Sequence, residues 1–146
     1  RVNYINAEAL LKENNINVIY SLSNENISYE NMIKTVVKSD DNEVKICASL
    51  FQGNRPRLVN LIGYELDIVP NGIMFFIKNI DKPGVIGKIG TILGDAEINI
   101  KEFLLSKKKS SELAFSVVRL DSIPSQQVID QINTLDEVQS IQLLNC

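Results

Sequence analysis

The stretch NIDKPGVIGKIGTILGDAEINI, residues 79–100, decides the fold because it reads as a strand end, a helix and the start of another strand. Pro83 favours a helix start, where its missing N–H costs nothing. Asp81 lies just ahead, where a carboxylate can accept hydrogen bonds from free helix N–H groups. Apolar residues then recur at helical spacing, namely Val85, Ile86, Ile89, Ile92, Leu93 and Ala96. The stretch therefore predicts a strand–helix–strand unit with its helix over about 83–95.

This helix start is also a candidate binding site for an amino acid. The N-terminus of a helix carries free N–H groups and partial positive charge, which attract an α-carboxylate. Asp81 beside it can receive an α-ammonium. An ordinary helix start with a capping aspartate would contain the same Asp81, so Asp81 alone does not distinguish a sensor from a structural cap. Asn99 taken alone fits equally well as a polar strand-entry residue that bonds a nearby turn.

The helix also contains Gly84, Gly87 and Gly90, which do not form a nucleotide-binding loop. Their spacing is G-x-x-G-x-x-G, which differs from the dinucleotide pattern G-x-G-x-x-G, and no Walker pattern is present. Glycine within a helix costs about 1 kcal/mol relative to alanine. We therefore expect close helix packing to compensate for this cost.

The second half of the chain reads as strand, helix, strand, strand, helix, strand. The predicted elements are strands over 73–78, 98–106, 112–120 and 138–144, the helix over 83–95 and a second helix that begins at Pro124. The apolar stripe of the second helix comprises Val128, Ile129, Ile132 and Leu135. Residues 107–111, KKKSS, are expected to form a solvated hairpin turn. This order is the ferredoxin-like pattern, with both helices on one face of an antiparallel sheet.

The turn cluster PNG at 70–72 predicts a domain boundary, which gives domains over 1–70 and 71–146. In the first domain, Asn6 can cap a short helix that ends at Asn14 and Asn15. Strands are predicted over 18–22, 32–38, 43–51, 57–61 and 64–69, a polar loop over 23–28, and turns over 39–42 and 52–56. This domain is therefore predicted to be α+β, with mostly antiparallel strands.

Composition excludes several functions for the 146-residue chain. It has 15 basic and 18 acidic residues with no basic block, which argues against a nucleic-acid-binding surface. No apolar run approaches the roughly 20 residues of a membrane helix, and no signal peptide is visible, so a cytoplasmic protein is expected. Cys47 and Cys146 match no metal or redox spacing. The start at Arg1 is typical of a fragment or a processed product.

The chain contains no histidine. This removes the commonest general base and the commonest metal ligand. No Ser–His or Cys–His pair can therefore form within the chain, and we expect no catalytic residue, no metal site and no dehydrogenase activity in it.

Residues 79–100 resemble the start of an ACT domain, a small module that senses amino acids. Four stretches of the first half, VNYINA (2–7), ASLFQG (48–53), PRLV (56–59) and GYELD (63–67), resemble the C-terminal regulatory region of bacterial D-3-phosphoglycerate dehydrogenases. In that family an allosteric substrate-binding domain, also called the intervening domain, precedes the ACT domain. The resemblance covers essentially the whole chain, and the order and spacing of the motifs make it specific.

The resemblance implies a parent enzyme that oxidises 3-phosphoglycerate with NAD in the first step of serine biosynthesis. It implies that L-serine inhibits by binding between paired ACT domains of a homo-oligomer. The catalytic and nucleotide-binding domains of the family, with its catalytic histidine, would lie before Arg1. This chain alone is therefore expected to hold no cofactor.

The resemblance also implies an effector site. The family's Asn or Asp two residues before Pro-Gly corresponds to Asp81, followed here by Pro83 and Gly84, and its strand-entry Asn corresponds to Asn99. A side chain two positions before the acidic residue, here Asn79, also contributes; some relatives carry His or Tyr there. Gly84 would let the ligand approach the backbone because it has no Cβ.

Arg55 and Arg57 flank Pro56 beside a glycine turn and form a candidate anion site. A guanidinium group suits a pair of phosphate oxygens, and the family's basic residues in this domain bind the phosphorylated substrate or another anion. Lys34, Lys38 and Lys45 could complete such a patch. Two exposed surface arginines would give the same sequence.

Two other functions stay open at this point. The chain could be the regulatory segment of an L-serine dehydratase, whose parent is a lyase with an iron–sulfur cluster, or a free-standing amino-acid sensor. The upstream sequence separates them, since a G-x-G-x-x-G motif would indicate the dehydrogenase, cluster cysteines the dehydratase, and an immediate start codon the sensor.

Overall fold

Eight strands form two four-stranded antiparallel sheets in the computed structural model, which describes residues 2–3, 5–23, 29–109 and 111–146. The elements of the first half are α1 (Ala7–Glu13), β1 (Met32–Lys38), β2 (Glu43–Phe51), β3 (Arg55–Leu61) and β4 (Tyr64–Ile68). Those of the second half are β5 (Ile73–Ile80), α2 (Val85–Asp95), β6 (Ile100–Lys107), β7 (Leu113–Leu120), α3 (Gln126–Asn133) and β8 (Val138–Asn145).

The second sheet has the strand order β6-β7-β5-β8, with all neighbours antiparallel. One face of this sheet carries α2 and α3 over an apolar core, whose buried members include Phe75, Ile77, Val85, Ile89, Leu93, Val118, Leu120, Val128 and Ile132. The side chain of Ser125 caps α3 by accepting a hydrogen bond from the N–H of Val128. The βαββαβ prediction and the α+β fold class are confirmed.

The other face of the second sheet packs against the first sheet. The residues of this second core are Tyr64, Leu66 and Ile68 from β4, Met74 from β5, and Phe115 and Val117 from β7. The rings of Tyr64 and Phe115 stack with their centroids 5.2 Å apart. The first sheet, with the order β1-β2-β3-β4, therefore covers the face of the second sheet that the helices leave open. Residues 69–72 connect the two sheets.

Two predictions about the elements are wrong. No strand forms over Val18–Leu22; its side chains project away from the protein, and Leu22 is fully exposed. Close packing of the α2 glycines is also absent among the described residues, because a Cβ added at Gly87 or Gly90 would meet no atom within 4 Å. The polar loop expected over 23–28 lies, apart from Ser23, outside the described residues.

Within the described ranges, no helix is long and apolar enough to cross a membrane. The same part of the chain contains no group of three or more acidic, histidine or cysteine residues that could hold a metal ion. The cytoplasmic location and the absence of a cofactor from this chain stay predictions.

Candidate functional site

Asp81 directly follows β5, and an ion pair holds its carboxylate. The Nζ of Lys107, the last residue of β6, lies 2.6 Å from Oδ2 of Asp81. The side chain of Asp81 is 33% exposed and that of Lys107 is 47% exposed, so the pair is accessible from solvent. The N–H of Asp81 donates to the carbonyl of Glu112 at 2.8 Å, which fixes the position of the carboxylate beside the β6–β7 hairpin.

The start of α2 differs from the prediction in its cap. Helix α2 begins at Val85, two residues after Pro83, and Gly84 is the N-cap residue with a left-handed φ of +92°. No side chain caps this helix, so Asp81 is not the capping residue that the sequence suggested. No described residue accepts a hydrogen bond from the N–H of Ile86 or Gly87. The first turn therefore keeps the free donors that attract an anion.

Asn79 lies inside the second domain and not at its surface. It is 1% exposed and faces the helices, on the same side of β5 as Ile77. Ser116 Oγ donates to its Oδ1 at 3.0 Å, and its Nδ2 donates to the carbonyl of Ile80 at 2.9 Å. These bonds satisfy the buried amide and fix the strand end that precedes Asp81; a direct contact of Asn79 with an effector stays a prediction.

Asn99 is exposed and lies at the opposite end of the sheet from Asp81. It precedes β6, whose first residue Ile100 is beside Leu120, whereas Asp81 follows Ile80, which pairs with Leu113. The two ends are separated by the length of an eight-residue strand, about 25 Å. One copy of the chain therefore does not bring Asp81 and Asn99 together. The backbone of Asn99 exchanges hydrogen bonds with Asp121, whose Oδ1 accepts from the Asn99 N–H at 3.0 Å.

Sequence reasoning missed two lysines, Lys107 and Lys108, which were assigned to a solvated turn. Lys108 Nζ donates to the carbonyl of Ile62 at 2.7 Å and lies 4.4 Å from the centroid of the Tyr64 ring. The predicted βαββαβ order contained a usable signal, because this topology places the β6–β7 hairpin at the same sheet end as the residue after β5. It could not have revealed the contact with the other sheet.

A second ion pair stands at the same end of the sheet. Lys88 Nζ on α2 lies 2.7 Å from Oε1 of Glu137, whose backbone carbonyl accepts a hydrogen bond from the N–H of Ile80. The hydrogen bond from Lys88, and then one from a backbone N–H, hold the pKa of Glu137 below its usual value. Glu137 therefore ties α2 to the start of β8.

Arg55 and Arg57 lie two positions apart on β3 and share the outer face of the first sheet, opposite Leu58. Arg55 Nε donates to the carbonyl of Gln52 at 2.9 Å, and Arg57 Nη1 lies 3.4 Å from Oδ1 of Asp67. Lys38 and Lys45 both pair with Glu43, which lowers the pKa of Glu43. These contacts commit part of the basic patch to carboxylates, and an anion site at Arg55 and Arg57 stays a prediction.

A largely apolar cleft of about 510 Å³ separates part of the two sheets. Side chains of β2 and β3 form one wall, and those of β5 and β8 form the other. Lys78 is the charged residue in its lining. The Asp81 site is outside this cleft, on the solvent side of the hairpin.

Comparisons with known proteins match both halves. The family model of the D-3-phosphoglycerate dehydrogenase intervening domain matches residues 1–62, and that of the ACT domain matches residues 73–137. D-3-phosphoglycerate dehydrogenase of Methanocaldococcus jannaschii is 31% identical over 144 residues, or 99% of this chain and 27% of the relative. The Bacillus subtilis protein of the same name is 27% identical over the same shares.

The chain thus spans about a quarter of the length of these two relatives. Among solved structures, the ACT domain from GTP pyrophosphokinase of Chlorobium tepidum is 14% identical with a TM-score of 0.41, and the alignment covers 51% of this chain and 97% of that one.

Proposed function

The chain belongs to the regulatory region of the D-3-phosphoglycerate dehydrogenase family, with an intervening domain followed by an ACT domain, and on this premise we propose that it binds L-serine as a feedback effector. The parent would be an NAD-dependent enzyme of serine biosynthesis in the cytoplasm. Its oxidation of 3-phosphoglycerate, and its NAD, would belong to the part of the relatives that this chain does not span.

This proposal is carried by a carboxylate that lies four residues before α2, a helix whose first turn keeps donors without a partner among the described residues. Asp81 presents a carboxylate that already holds one ammonium group, that of Lys107. Within the described part of the chain, no acceptor bonds the N–H groups of Ile86 and Gly87 in the first turn of α2. An α-amino acid carries an ammonium and a carboxylate on one carbon, and these two features can bind them together.

The separation of Asp81 from Asn99 supports a site shared by two copies. Strand β6 is an edge of the second sheet and pairs only with β7 among the described residues. Edge strands present free N–H and C=O groups to a further strand. If β6 pairs antiparallel with β6 of a second copy about a twofold axis, Asn99 of the partner subunit comes to the Lys107 end of the sheet, the end at which Asp81 also lies. Such an isologous contact gives two identical effector sites.

The surface around β6 suits this contact. Leu105 on β6 is 39% exposed, and Ile86 in the first turn of α2 is 49% exposed. By strand alternation, Leu105 lies on the helix-covered face, as does Phe103. Pairing at β6 would bury apolar surface of Leu105 and Ile86 in each copy, and burial of apolar surface favours association.

The names of the relatives favour this parent enzyme over an L-serine dehydratase, because both relatives described above are D-3-phosphoglycerate dehydrogenases. A free-standing sensor of the same ligand would use the same residues.

Calorimetric titration of the chain with L-serine tests the effector site. We expect Asp81→Ala to weaken serine binding tenfold to a hundredfold, since a hydrogen bond to a charged group contributes about 1.5–3 kcal/mol. Asp41→Asn, an exposed turn aspartate of the first domain, is the control for the change in net charge and should bind like the wild type. An unchanged affinity in Asp81→Ala would rule out this ammonium acceptor.

A further inference from the structure

Two consecutive lysines at the end of β6 hold two different parts of the molecule. Lys107 reaches Asp81 of the effector site with an Nζ–Oδ2 distance of 2.6 Å. Lys108 reaches the β3–β4 turn of the intervening domain, where its Nζ lies 2.7 Å from the carbonyl oxygen of Ile62. The hairpin end is thus in side-chain contact with the effector site through one residue and with the first domain through the next.

The ammonium of Lys107 is the same chemical group as the α-ammonium of an amino acid. The ligand's ammonium would compete with Lys107 for this carboxylate, because two ammonium groups held at the same Asp81 side chain would repel each other. The pair is accessible to solvent, so it is weak and exchanges readily. Lys107 has room to swing away, since 47% of its side chain is exposed.

We propose that Lys107 is an internal counter-ion that occupies the ammonium subsite of Asp81 when no effector is bound, and that Lys108 relays its displacement to the intervening domain. This inference rests on the proposed serine site. Serine binding exchanges one ammonium for another at Asp81. Its affinity is therefore lower than a free carboxylate would give, and the hairpin loses the side-chain tie that joins it to the end of β5.

The contact at Lys108 is suited to register such a change. Gly63, between Ile62 and Tyr64, has a φ of +83°, and a Cβ at this position would lie 3.0 Å from Lys108 Nζ. The ammonium also lies over the Tyr64 ring, 4.4 Å from its centroid, in the geometry of a cation–π contact. A small shift of the hairpin end changes both contacts, because adjacent Cα atoms are only about 3.8 Å apart. Linkage requires the Lys108 contact to influence serine affinity in turn.

Three consecutive lysines provide matched variants for the test. Lys107→Met, Lys108→Met and Lys109→Met each remove one ammonium from the same hairpin and keep a long side chain. Lys109 makes no hydrogen bond or ion pair among the described residues, so its variant controls for the loss of charge. Each 146-residue chain is titrated with L-serine by calorimetry and followed by amide NMR at residues 62–64.

In the wild type and in Lys109→Met, serine should shift the amide resonances of residues 62–64. Lys107→Met should bind serine about two- to fivefold more tightly, the range expected for an exposed ion pair, with little remaining shift at 62–64. Lys108→Met should bind serine within about threefold of the wild type and lose the shift at 62–64.

Each other outcome overturns a specific step. Serine affinity that is unchanged or weaker in Lys107→Met overturns the counter-ion role. A full shift at residues 62–64 in Lys108→Met, or no shift there in a wild type that binds serine, overturns the relay while leaving the serine site intact. Failure of all four proteins to bind serine overturns the proposed function and this inference with it.

Discussion

At the residue scale, the glycines of α2 have opposite roles that the sequence pattern did not separate. Gly84 has a φ of +92°, where a Cβ is strained, whereas Gly90 lies mid-helix with open space around its Cα. We expect Gly84→Ala to lower the free energy of unfolding by about 1–2 kcal/mol. Gly90→Ala should raise it by up to about 1 kcal/mol, because alanine is the better helix former. Urea unfolding without serine measures both.

This pair of variants is its own control, since the same methyl group is added to the same helix. Stabilisation by Gly84→Ala would mean that the left-handed helix start is not the populated conformation. Destabilisation by Gly90→Ala would instead indicate that a neighbour, such as a second copy, packs on this face of α2.

At the element scale, strand β6 is expected to be the contact between copies. Leu105→Lys should weaken dimerisation by about tenfold or more, because it brings like charges together near a twofold axis and leaves them poorly solvated. It should also weaken serine binding by removing Asn99 of the partner subunit. Sedimentation velocity over a concentration series measures the first effect.

Leu144→Lys supplies the control on the opposite edge strand, because Leu144 of β8 is 46% exposed and lines the cleft on the other face of the same sheet. A dimer that survives Leu105→Lys but dissociates in Leu144→Lys would place the contact on β8. A wild type that is monomeric at every concentration, with and without serine, would remove the shared site.

The strands with clear alternation were predictable from the sequence, whereas the strand predicted over residues 18–22 does not form. The strands 32–38 and 43–51 coincide with β1 and β2, since alternation and the turn at Ser39–Asn42 specify a hairpin locally. Residues 18–22 are also mostly apolar but find no neighbouring strand among the described residues. Strand formation depends on cross-strand contacts, which a local pattern does not contain.

At the scale of the whole molecule, the candidate site shows what a linear pattern leaves out. Asp81 and the start of α2 are adjacent in sequence, so their proximity was predictable. The ion pair with Lys107 joins residues 26 positions apart, and the Lys108 contact depends on how two sheets stack. Asn79 stands at a family position that some relatives fill with His or Tyr, and its burial against Ser116 follows from strand pairing and the overlying helices.

The stacking of the two sheets also determines how the molecule should unfold. Phe115 is 6% exposed in the core that the sheets share, where it contacts Tyr64 and Phe76. Phe115→Ala removes this ring and should cost about 3–5 kcal/mol of stability. Because the ring belongs to the contact between domains, its loss should also uncouple them. We expect the wild type to unfold in one transition and Phe115→Ala in two.

The distribution of tyrosines makes the two transitions separable. All four tyrosines lie at positions 4, 20, 29 and 64, and the chain has no tryptophan, so tyrosine fluorescence reports on the first domain while circular dichroism reports on both. The two signals should coincide in the wild type and diverge in Phe115→Ala. Phe75→Ala is the control, because Phe75 is fully buried under the helices of the second domain. It should be destabilising without making the domains independent, since it leaves the Tyr64–Phe115 stack in place. If Phe75→Ala separates the two signals and Phe115→Ala does not, cooperativity between the domains does not depend on the core between the sheets.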